Sequence, residues 1–246
     1  MPRADKYLVE HGFFDTRARA QAAIEAGRVV VDGQVVRKAS QKIEPGAVIE
    51  AEAAHPWVSR AALKLVEALD RFDIDPSGLT CLDVGSSTGG FSEVLLERGA
   101  AKVIAVDVGR EQLHAKLRGD KRIVSLEGQD ARQLSIAEIT EAPQLIVCDA
   151  SFISLLKVIP VPLSLAAPGA VFIGLIKPQF EVGREGLARG GLVKDEALRD
   201  EAVARVRDAL DGLEGFAVAD VIKSPITGGD GNLEYLVLAR RGYRSN

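Results

Sequence analysis

Hydrophobic residues recur along the chain with two different periods, and their order changes near residue 55. In the first part, stretches with helical spacing at 4–11 and 17–26 precede short runs of valine. From Ser59 onwards, helical patterns alternate with apolar runs of strand length, which lie at 80–84, 102–106, 122–126, 144–148, 170–176, 216–222 and 233–239. This alternation predicts a largely parallel sheet with helices on both faces.

The last two apolar runs are the exception to the parallel pattern. Only the turn from Pro225 to Asn232 separates them, which is too short for the crossover between parallel strands. We therefore predict an α/β domain with a seven-stranded sheet whose final strand runs antiparallel to its neighbours. The helical pattern that precedes the apolar run at 80–84 is predicted to be capped by Ser59.

The first part of the chain has the pattern of a small α+β module. Thr16 is a candidate cap for the second helix, and Gly27 ends that helix. Asp32-Gly33 between two valine runs predicts a two-residue hairpin. The predicted organisation is a module at 1–52, a linker at 53–59 and a larger domain at 60–246.

Composition argues against several classes of protein. The chain is 47% hydrophobic and 27% charged, which is ordinary for a globular protein. It contains no run of roughly 20 apolar residues and no signal peptide at its start, so we expect a cytoplasmic protein that does not span a membrane. Cys81 and Cys148 lie in apolar runs and the three histidines are scattered, which predicts reduced thiols and no metal site.

Charge is distributed unevenly along the chain. The net charge is −4, which disfavours a binder of polyanions over the whole surface. Residues 15–42 nevertheless carry six basic and three acidic side chains, a local balance of +3. A basic face on the small module is therefore compatible with an acidic protein.

The sequence LDVGSSTGGF at 82–91 marks a candidate ligand site. It joins an apolar run to a helical pattern, and its glycines let the backbone approach a ligand. It lacks the G-x-G-x-x-G of dinucleotide sites and the Gly-Lys-Ser/Thr of a phosphate-binding loop. Carboxylates on or near strand ends discourage phosphates and suit a cationic ligand, and they lie at Asp83, Asp107, Asp130 and Asp149.

S-adenosylmethionine fits this pattern, because it combines an adenosine without phosphate with a sulfonium and an ammonium. Asp107 lies 24 residues beyond Asp83, where an acid accepts the ribose hydroxyls of an adenosine. A tight strand-to-helix turn with solvated acids is the alternative. We expect the cofactor to be bound by Asp83, Gly85, Ser86, Thr88, Gly89, Gly90, Phe91, Asp107, Asp130 and Asp149.

Taken together, the motifs resemble those of the TlyA family of ribosomal RNA 2'-O-methyltransferases, which also carries the label hemolysin. RAD at 3–5, TRARA at 16–20 and IEAGRVVVDG at 24–33 are similar to an S-four type RNA-binding domain. The remaining motifs resemble an FtsJ-like methyltransferase domain, and they are WVSR at 57–60, Lys64-Leu, LDVGSSTGGF, VCDASFISL at 147–155, LIKPQFEVGREG at 175–186 and GNLEYL at 231–236.

The resemblance implies a class I, Rossmann-like methyltransferase domain that uses S-adenosylmethionine and modifies cytidine in ribosomal RNA. It implies a catalytic tetrad of Lys64, Asp149, Lys177 and Glu234. Ribosomal RNA or ribosomal subunits are the expected partners. Their phosphates would be contacted by basic residues, for which the candidates are Arg3, Arg17, Arg19, Arg28, Arg37, Lys38, Arg60, Arg184 and Arg189.

The chemistry needs little more than alignment and the removal of one proton. A ribose hydroxyl is a poor nucleophile, whereas a sulfonium methyl has a good leaving group, so oxygen, methyl and sulfur must be held in line. Lys177 is the candidate base, Asp149 would orient its amine, and Lys64 and Glu234 would position the hydroxyl. Whether base catalysis or alignment dominates stays open at this point.

Other acceptors fit the sequence less well. Methylation of base amino groups typically uses Asn or Asp before Pro-Pro and an aromatic, whereas here Asp149 precedes Ala-Ser-Phe152. Methylation at carbon five of cytosine needs a nucleophilic cysteine, and Cys148 is predicted to be core. Phe152 or Phe180 could stack a flipped base, and residues 184–194 could form a lid.

Three rival functions remain. The chain could be an RNA-binding assembly protein with a vestigial pocket or a methyltransferase acting on a small molecule. A membrane-lysing hemolysin is disfavoured, because the helical patterns have ordinary core faces.

Overall fold

The computed structural model describes residues 1–242 and divides the chain into two compact units. The first unit is Met1–Arg60, and the second begins at Ala61. The last four positions of the predicted larger domain, 243–246, lie outside the described residues.

The first unit pairs two helices with a small antiparallel sheet. Its elements are α1 (Ala4–Glu10), α2 (Arg17–Glu25), β1 (Val29–Val31), β2 (Gln34–Val35) and β3 (Ile49–Ala51). The strands lie in the order β2-β1-β3, with both pairs antiparallel. Leu8, Phe14, Ile24, Val29 and Ile43 belong to its core.

Two local predictions for this unit are confirmed. Thr16 caps α2, since its side chain accepts a hydrogen bond from the backbone N–H of Arg19 at 3.3 Å. Asp32 and Gly33 both have positive φ angles, 49° and 77°, as a two-residue turn between right-twisted strands requires.

The second unit alternates helices and strands. Its elements are α3 (Ala62–Phe72), β4 (Thr80–Val84), α4 (Gly90–Glu97), β5 (Lys102–Asp107), α5 (Ala115–Arg118), β6 (Ile123–Glu127), α6 (Ile136–Ile139), β7 (Leu145–Cys148), α7 (Leu155–Val158), α8 (Pro160–Ser164), β8 (Val171–Ile176), α9 (Pro178–Glu181), α10 (Glu196–Asp211), β9 (Phe216–Lys223) and β10 (Tyr235–Arg241). Short 3₁₀ turns lie at Ala131–Gln133 and Arg184–Gly186.

The strands form one seven-stranded sheet in the order β6-β5-β4-β7-β8-β10-β9. β10 runs antiparallel to both β8 and β9, while β4 to β8 pair in parallel. This confirms the predicted α/β fold and its antiparallel last strand. The strand order reverses between β4 and β7, which creates a crevice at their carboxyl ends.

One helix start differs from its prediction. α3 begins at Ala62, and Ala61 occupies the capping position without a side-chain hydrogen bond, so the predicted cap at Ser59 is wrong. The helix buries Leu65, Leu69 and Phe72 as its apolar spacing requires, and it also buries Lys64.

Candidate active site

A cavity of about 500 Å³ opens at the carboxyl ends of β4, β5 and β7. Four of the predicted cofactor residues line it, namely Gly85, Asp107, Asp130 and Asp149. Its apolar lining comes from Val84, Val106, Val108, Ala131, Ile153 and Val158. The cavity therefore offers carboxylates beside an apolar surface, which suits a flat heterocycle joined to a hydroxylated or cationic group.

Gly85 is required by packing within the protein. It has a φ of 79°, and a Cβ at this position would lie only 2.9 Å from the Cα of Ala150. The turn after β4 and the chain after β7 thus meet backbone to backbone. This close approach brings Asp149 to the wall of the cavity.

The other six predicted cofactor residues do not line the cavity, and their part in binding remains a prediction. Gly89 has a φ of 93° at the start of α4, where a side chain would overlap Leu117. Gly90 and Phe91 are buried in the first turn of that helix. The remaining three are the buried Asp83 and Ser86 and the half-buried Thr88.

Asp83 is a fully buried carboxyl at the base of the site. Its Oδ2 accepts a hydrogen bond from the Ser92 hydroxyl at 2.7 Å, and its Oδ1 has no hydrogen-bond partner among the described residues. Burial raises the pKa of Asp83 to about 7, the Ser92 hydrogen bond opposes this rise, and the charges of Asp149 and Asp107 add to it. A cation bound nearby would favour its ionised form.

Replacing Asp83 by asparagine is expected to change how stability depends on pH. The folded protein keeps this proton up to about pH 7, whereas the unfolded chain loses it near the ordinary aspartate pKa of 3.8, so the free energy of unfolding falls as pH rises between these values. Asp83→Asn should therefore gain stability relative to wild type as the pH rises from about 5 to about 8, by at most about 3 kcal/mol. Thermal unfolding at both pH values measures this gain. Asp208→Asn on exposed helix surface is the control, and a gain independent of pH would contradict the assignment.

Asp107 at the end of β5 is held by two backbone amides. Ser87 N–H donates to Oδ2 at 2.8 Å, and Gly109 N–H donates to Oδ1 at 2.7 Å. Ser87 has a φ of 47° and lines the cavity, although the sequence had not singled it out. The carboxylate is thus fixed in the cavity wall with a defined orientation.

Asp130 lines the cavity together with a basic neighbour that the sequence analysis missed. Arg132 Nη2 lies 2.6 Å from Asp130 Oδ2, and this guanidinium holds the pKa of Asp130 below its usual value. Both residues face the cavity beside Ala131. Arg132 could have been suspected from its spacing of two residues from Asp130.

The four predicted catalytic residues lie together in one chain of alternating charges. Lys177 Nζ is 2.6 Å from Asp149 Oδ1, and Lys64 Nζ is 3.9 Å from Asp149 Oδ2 and 2.6 Å from Glu234 Oε2. The exposed fractions are 6% for Lys64, 5% for Lys177 and 3% for Glu234. Charges buried to this extent persist only as a mutually compensating group.

Ser151 is a further member of this group that sequence reasoning missed. Lys177 Nζ donates to Ser151 Oγ at 2.7 Å and to the backbone carbonyl of Asp149 at 3.2 Å. The lysine therefore has two hydrogen-bond acceptors besides its ion pair with Asp149 Oδ1, and that oxygen has no hydrogen-bond partner among the described residues. Its position two residues after Asp149 was the available signal.

Asn232 fastens the loop that was predicted to be a lid. It is 3% exposed, its Oδ1 accepts from Val193 N–H at 2.9 Å and its Nδ2 donates to the Gly191 carbonyl at 3.0 Å. The loop itself is closed by a bridge between Ala188 and Leu192. Asn232 precedes Glu234 by two residues, so it connects this loop to the catalytic group.

An exposed aromatic stands at the rim of the cavity. Phe152 is 91% exposed and has a φ of 66°, an unusual conformation for a bulky residue. Its ring centre lies 5.5 Å from that of Phe180. The prediction that one of them stacks a base remains a prediction.

Neither cysteine has the environment of a nucleophile. Cys81 and Cys148 are buried free thiols, and burial raises the pKa of each to about 12. A thiol held in its protonated form does not attack cytosine. The geometry therefore disfavours methylation at carbon five.

Two of the candidate RNA-binding arginines share a buried carboxylate in the first unit. Arg3 Nε and Arg17 Nη2 lie 3.0 and 2.8 Å from the oxygens of Asp5, and Gln21 also donates to this carboxylate at 2.8 Å. The hydrogen bond from Arg3 holds the pKa of Asp5 well below its usual value. The two side chains remain 45% and 57% exposed, so their guanidinium groups are oriented but accessible.

The other candidate RNA-binding residues differ in their surroundings. Arg19, Arg28 and Arg60 form ion pairs with Asp15, Glu52 and Glu25, respectively. Arg37 and Lys38 are exposed, as are Arg184 and Arg189 in the second unit. The structure leaves the role of all nine residues as a prediction.

Residues 1–242 contain neither a membrane-spanning helix nor a cluster of metal-binding side chains. Helices in this range are too short or too polar to cross a bilayer. Within the same range, histidine, cysteine and acidic side chains do not gather in groups of three or more that could hold a metal ion.

Family models match both parts of the chain. Residues 57–241 match the FtsJ-like methyltransferase model, and residues 2–49 match the S4 domain model. These boundaries place the cavity and the buried charges in the methyltransferase part and the Asp5 cluster in the S4 part.

Similar proteins extend over nearly the whole chain. The 16S/23S rRNA (cytidine-2'-O)-methyltransferase TlyA of Mycobacterium tuberculosis is 43% identical over 97% of this chain and 89% of its own length. Hemolysin A of Brachyspira hyodysenteriae is 39% identical over 95% of this chain and 98% of its own. A solved structure of a candidate hemolysin from Streptococcus thermophilus is 36% identical, with a TM-score of 0.78 over 98% of this chain and 88% of that one.

Proposed function

The chain belongs to the TlyA family of FtsJ-like methyltransferases, and from this premise we propose that it transfers a methyl group from S-adenosylmethionine to the 2'-hydroxyl of cytidine in ribosomal RNA. The observation that carries the proposal is the buried chain Lys177–Asp149–Lys64–Glu234. Asp149 belongs both to this group of charges and to the cavity wall, so it connects the cofactor cavity with the catalytic residues.

The residues of the cavity fit S-adenosylmethionine. Asp107 is held by Ser87 and Gly109 in an orientation that suits the ribose hydroxyls, and the apolar lining suits the adenine. The Asp149 carboxylate in the cavity wall supplies negative charge for the cationic end. Asp83 lies outside this lining, and a cation bound nearby would favour its ionised form. When bound, the cofactor supplies a methyl group on a sulfonium.

The catalytic group would act chiefly by alignment. Lys177 Nζ donates to Ser151 Oγ and to the Asp149 carbonyl and lies 2.6 Å from Asp149 Oδ1, so its position is fixed beside the cavity wall. We propose that Lys177 and Lys64 hold the ribose hydroxyl against Asp149, and that Glu234 fixes Lys64. Such positioning can supply a large part of the rate enhancement, because the methyl acceptor and donor need only be brought into line.

The first unit would bring this centre to its RNA. Arg3 and Arg17 are oriented by Asp5, and Arg37 and Lys38 are exposed, so these four could neutralise phosphates along one folded element of ribosomal RNA. The proposed setting is the cytoplasm, where such RNA is found in bacteria, and the proposed substrates are ribosomal subunits or their RNA.

The double variant Arg37→Ala/Lys38→Ala is expected to weaken RNA binding without affecting the cofactor. Affinity falls as salt rises, and each lost phosphate contact should make the slope of log affinity against log salt less negative by about 1. Filter binding to ribosomal RNA at several salt concentrations measures the slope, and calorimetry with S-adenosylhomocysteine measures the cofactor site. Lys223→Ala, another exposed lysine, is the control. An unchanged slope would remove these two residues from the interface.

Incubation with labelled S-adenosylmethionine and purified unmodified ribosomal subunits tests the proposed function. Label recovered as 2'-O-methylcytidine supports it. Cofactor binding without transfer to subunits or free ribosomal RNA would favour an assembly protein. Transfer to a small molecule but not to RNA, or leakage of vesicles at modest protein concentration, would favour the other two rivals.

A further inference from the structure

The loop between β5 and α5 is fastened by one carboxylate outside the cavity. Glu127, the last residue of β6, accepts hydrogen bonds from three consecutive backbone amides of this loop. Glu111 N–H donates to Oε2 at 2.7 Å, and Gln112 and Leu113 N–H donate to Oε1, both at 2.8 Å. One carboxylate thus accepts from three consecutive backbone donors of the loop.

This arrangement holds the loop in a conformation that it would otherwise avoid. Glu111 has a φ of 56°, in the left-handed region that residues other than glycine rarely adopt. The backbone amide of Leu113 contributes most to lowering the pKa of Glu127, which keeps this acceptor ionised at neutral pH. Arg118 supports the same loop, because its Nε donates to the Leu113 carbonyl at 2.7 Å.

The fastened loop carries a side chain into the cofactor cavity. Gln112 lines the cavity, and its amide lies directly over Gly109, where any Cβ would overlap it. Gly109 N–H in turn donates to Asp107 Oδ1 at 2.7 Å. The Gln112 amide therefore lies beside the carboxylate that is proposed to bind the ribose, where it could reach a hydroxyl of the same sugar.

We propose that Glu127 is a positioning residue for the cofactor, which holds the loop 109–113 so that Gln112 and Asp107 together bind the adenosine ribose. The proposal rests on the proposed function and deepens it. Glu127 does not itself line the cavity and acts through the three amides. A glutamine at this position would keep the shape but place an N–H₂ group against at least one amide donor.

Glu127→Gln tests this role through binding rather than activity. We expect affinity for S-adenosylhomocysteine, measured by calorimetry, to fall about tenfold, as expected when a hydrogen bond to a charged group is lost. Hydrogen exchange at the amides of 111–113 should quicken. Glu138→Gln is the matched control, because Glu138 also accepts a backbone amide, that of Ser135, outside this loop.

The coupling to Gln112 separates positioning from general destabilisation. If Glu127 acts through Gln112, Glu127→Gln should add little to the loss of affinity caused by Gln112→Ala. Full additivity, an unchanged affinity, or an equal loss in Glu138→Gln would overturn the proposal. Failure of the wild-type protein to bind S-adenosylhomocysteine would instead contradict the proposed function.

Discussion

Lys177→Met is expected to lower the rate of methyl transfer by about 10²–10⁴-fold while the protein continues to bind S-adenosylhomocysteine. Methionine keeps the approximate length and the buried stem of lysine but removes the donors to Asp149 and Ser151. The affinity for S-adenosylhomocysteine should change little, because Lys177 does not line the cofactor cavity. Single-turnover transfer and calorimetry measure the two quantities separately.

The exposed Lys223→Met is the control for this substitution. It should retain the rate of the wild type. A Lys177→Met variant with an unaltered rate would exclude Lys177 from the reaction, whereas parallel losses of rate and cofactor affinity would show that it acts on the cavity instead.

Asp149→Asn is expected to have the widest effect of any single substitution in the site. The amide would leave the ammonium of Lys177, which lies 2.6 Å away, and that of Lys64, at 3.9 Å, without the charge between them. Removing one partner of a buried ion pair typically costs about 3–5 kcal/mol of stability. Asp149 also lines the cavity, so cofactor affinity and transfer rate should fall together with the free energy of unfolding.

Asp130→Asn provides the comparison, because it removes a different carboxylate from the same cavity. Asp130 forms its ion pair with the exposed Arg132, so stability should change by less than about 1 kcal/mol. Cofactor affinity should fall, but the transfer rate at saturating cofactor should equal that of the wild-type protein. Equal behaviour of the two variants in denaturant unfolding and single-turnover transfer would contradict the bridging role of Asp149.

The sheet could be predicted because its central strands are buried on both faces. Runs such as Leu145–Cys148 and Val171–Ile176 are almost wholly apolar, and this signal does not depend on the rest of the fold. The short turn before β10 also constrained its direction. By contrast, the start of α3 was placed at Ser59, because a serine before an apolar helix is a good cap whether or not the chain uses it there.

The sequence predicted which acidic residues and lysines form the site, but not the contacts that these residues make. The resemblance supplied Lys64, Asp149, Lys177 and Glu234, which the structure brings together. Gln112 and Glu127 had no signal of their own, and Ser151 had only its position two residues after Asp149, because their roles depend on how loops fold back across strand ends. Likewise, Gly85 lines the cavity, but the sequence did not show that it also packs against the backbone of Ala150.

The most direct test of the central claim is single-turnover methyl transfer to unmodified ribosomal subunits, with the labelled nucleoside identified after digestion of the RNA. The account predicts that the wild-type protein yields 2'-O-methylcytidine and that Lys177→Met, although saturated with cofactor, yields it at least about 100-fold more slowly. Label on a base, or equal rates for the two proteins, would contradict it.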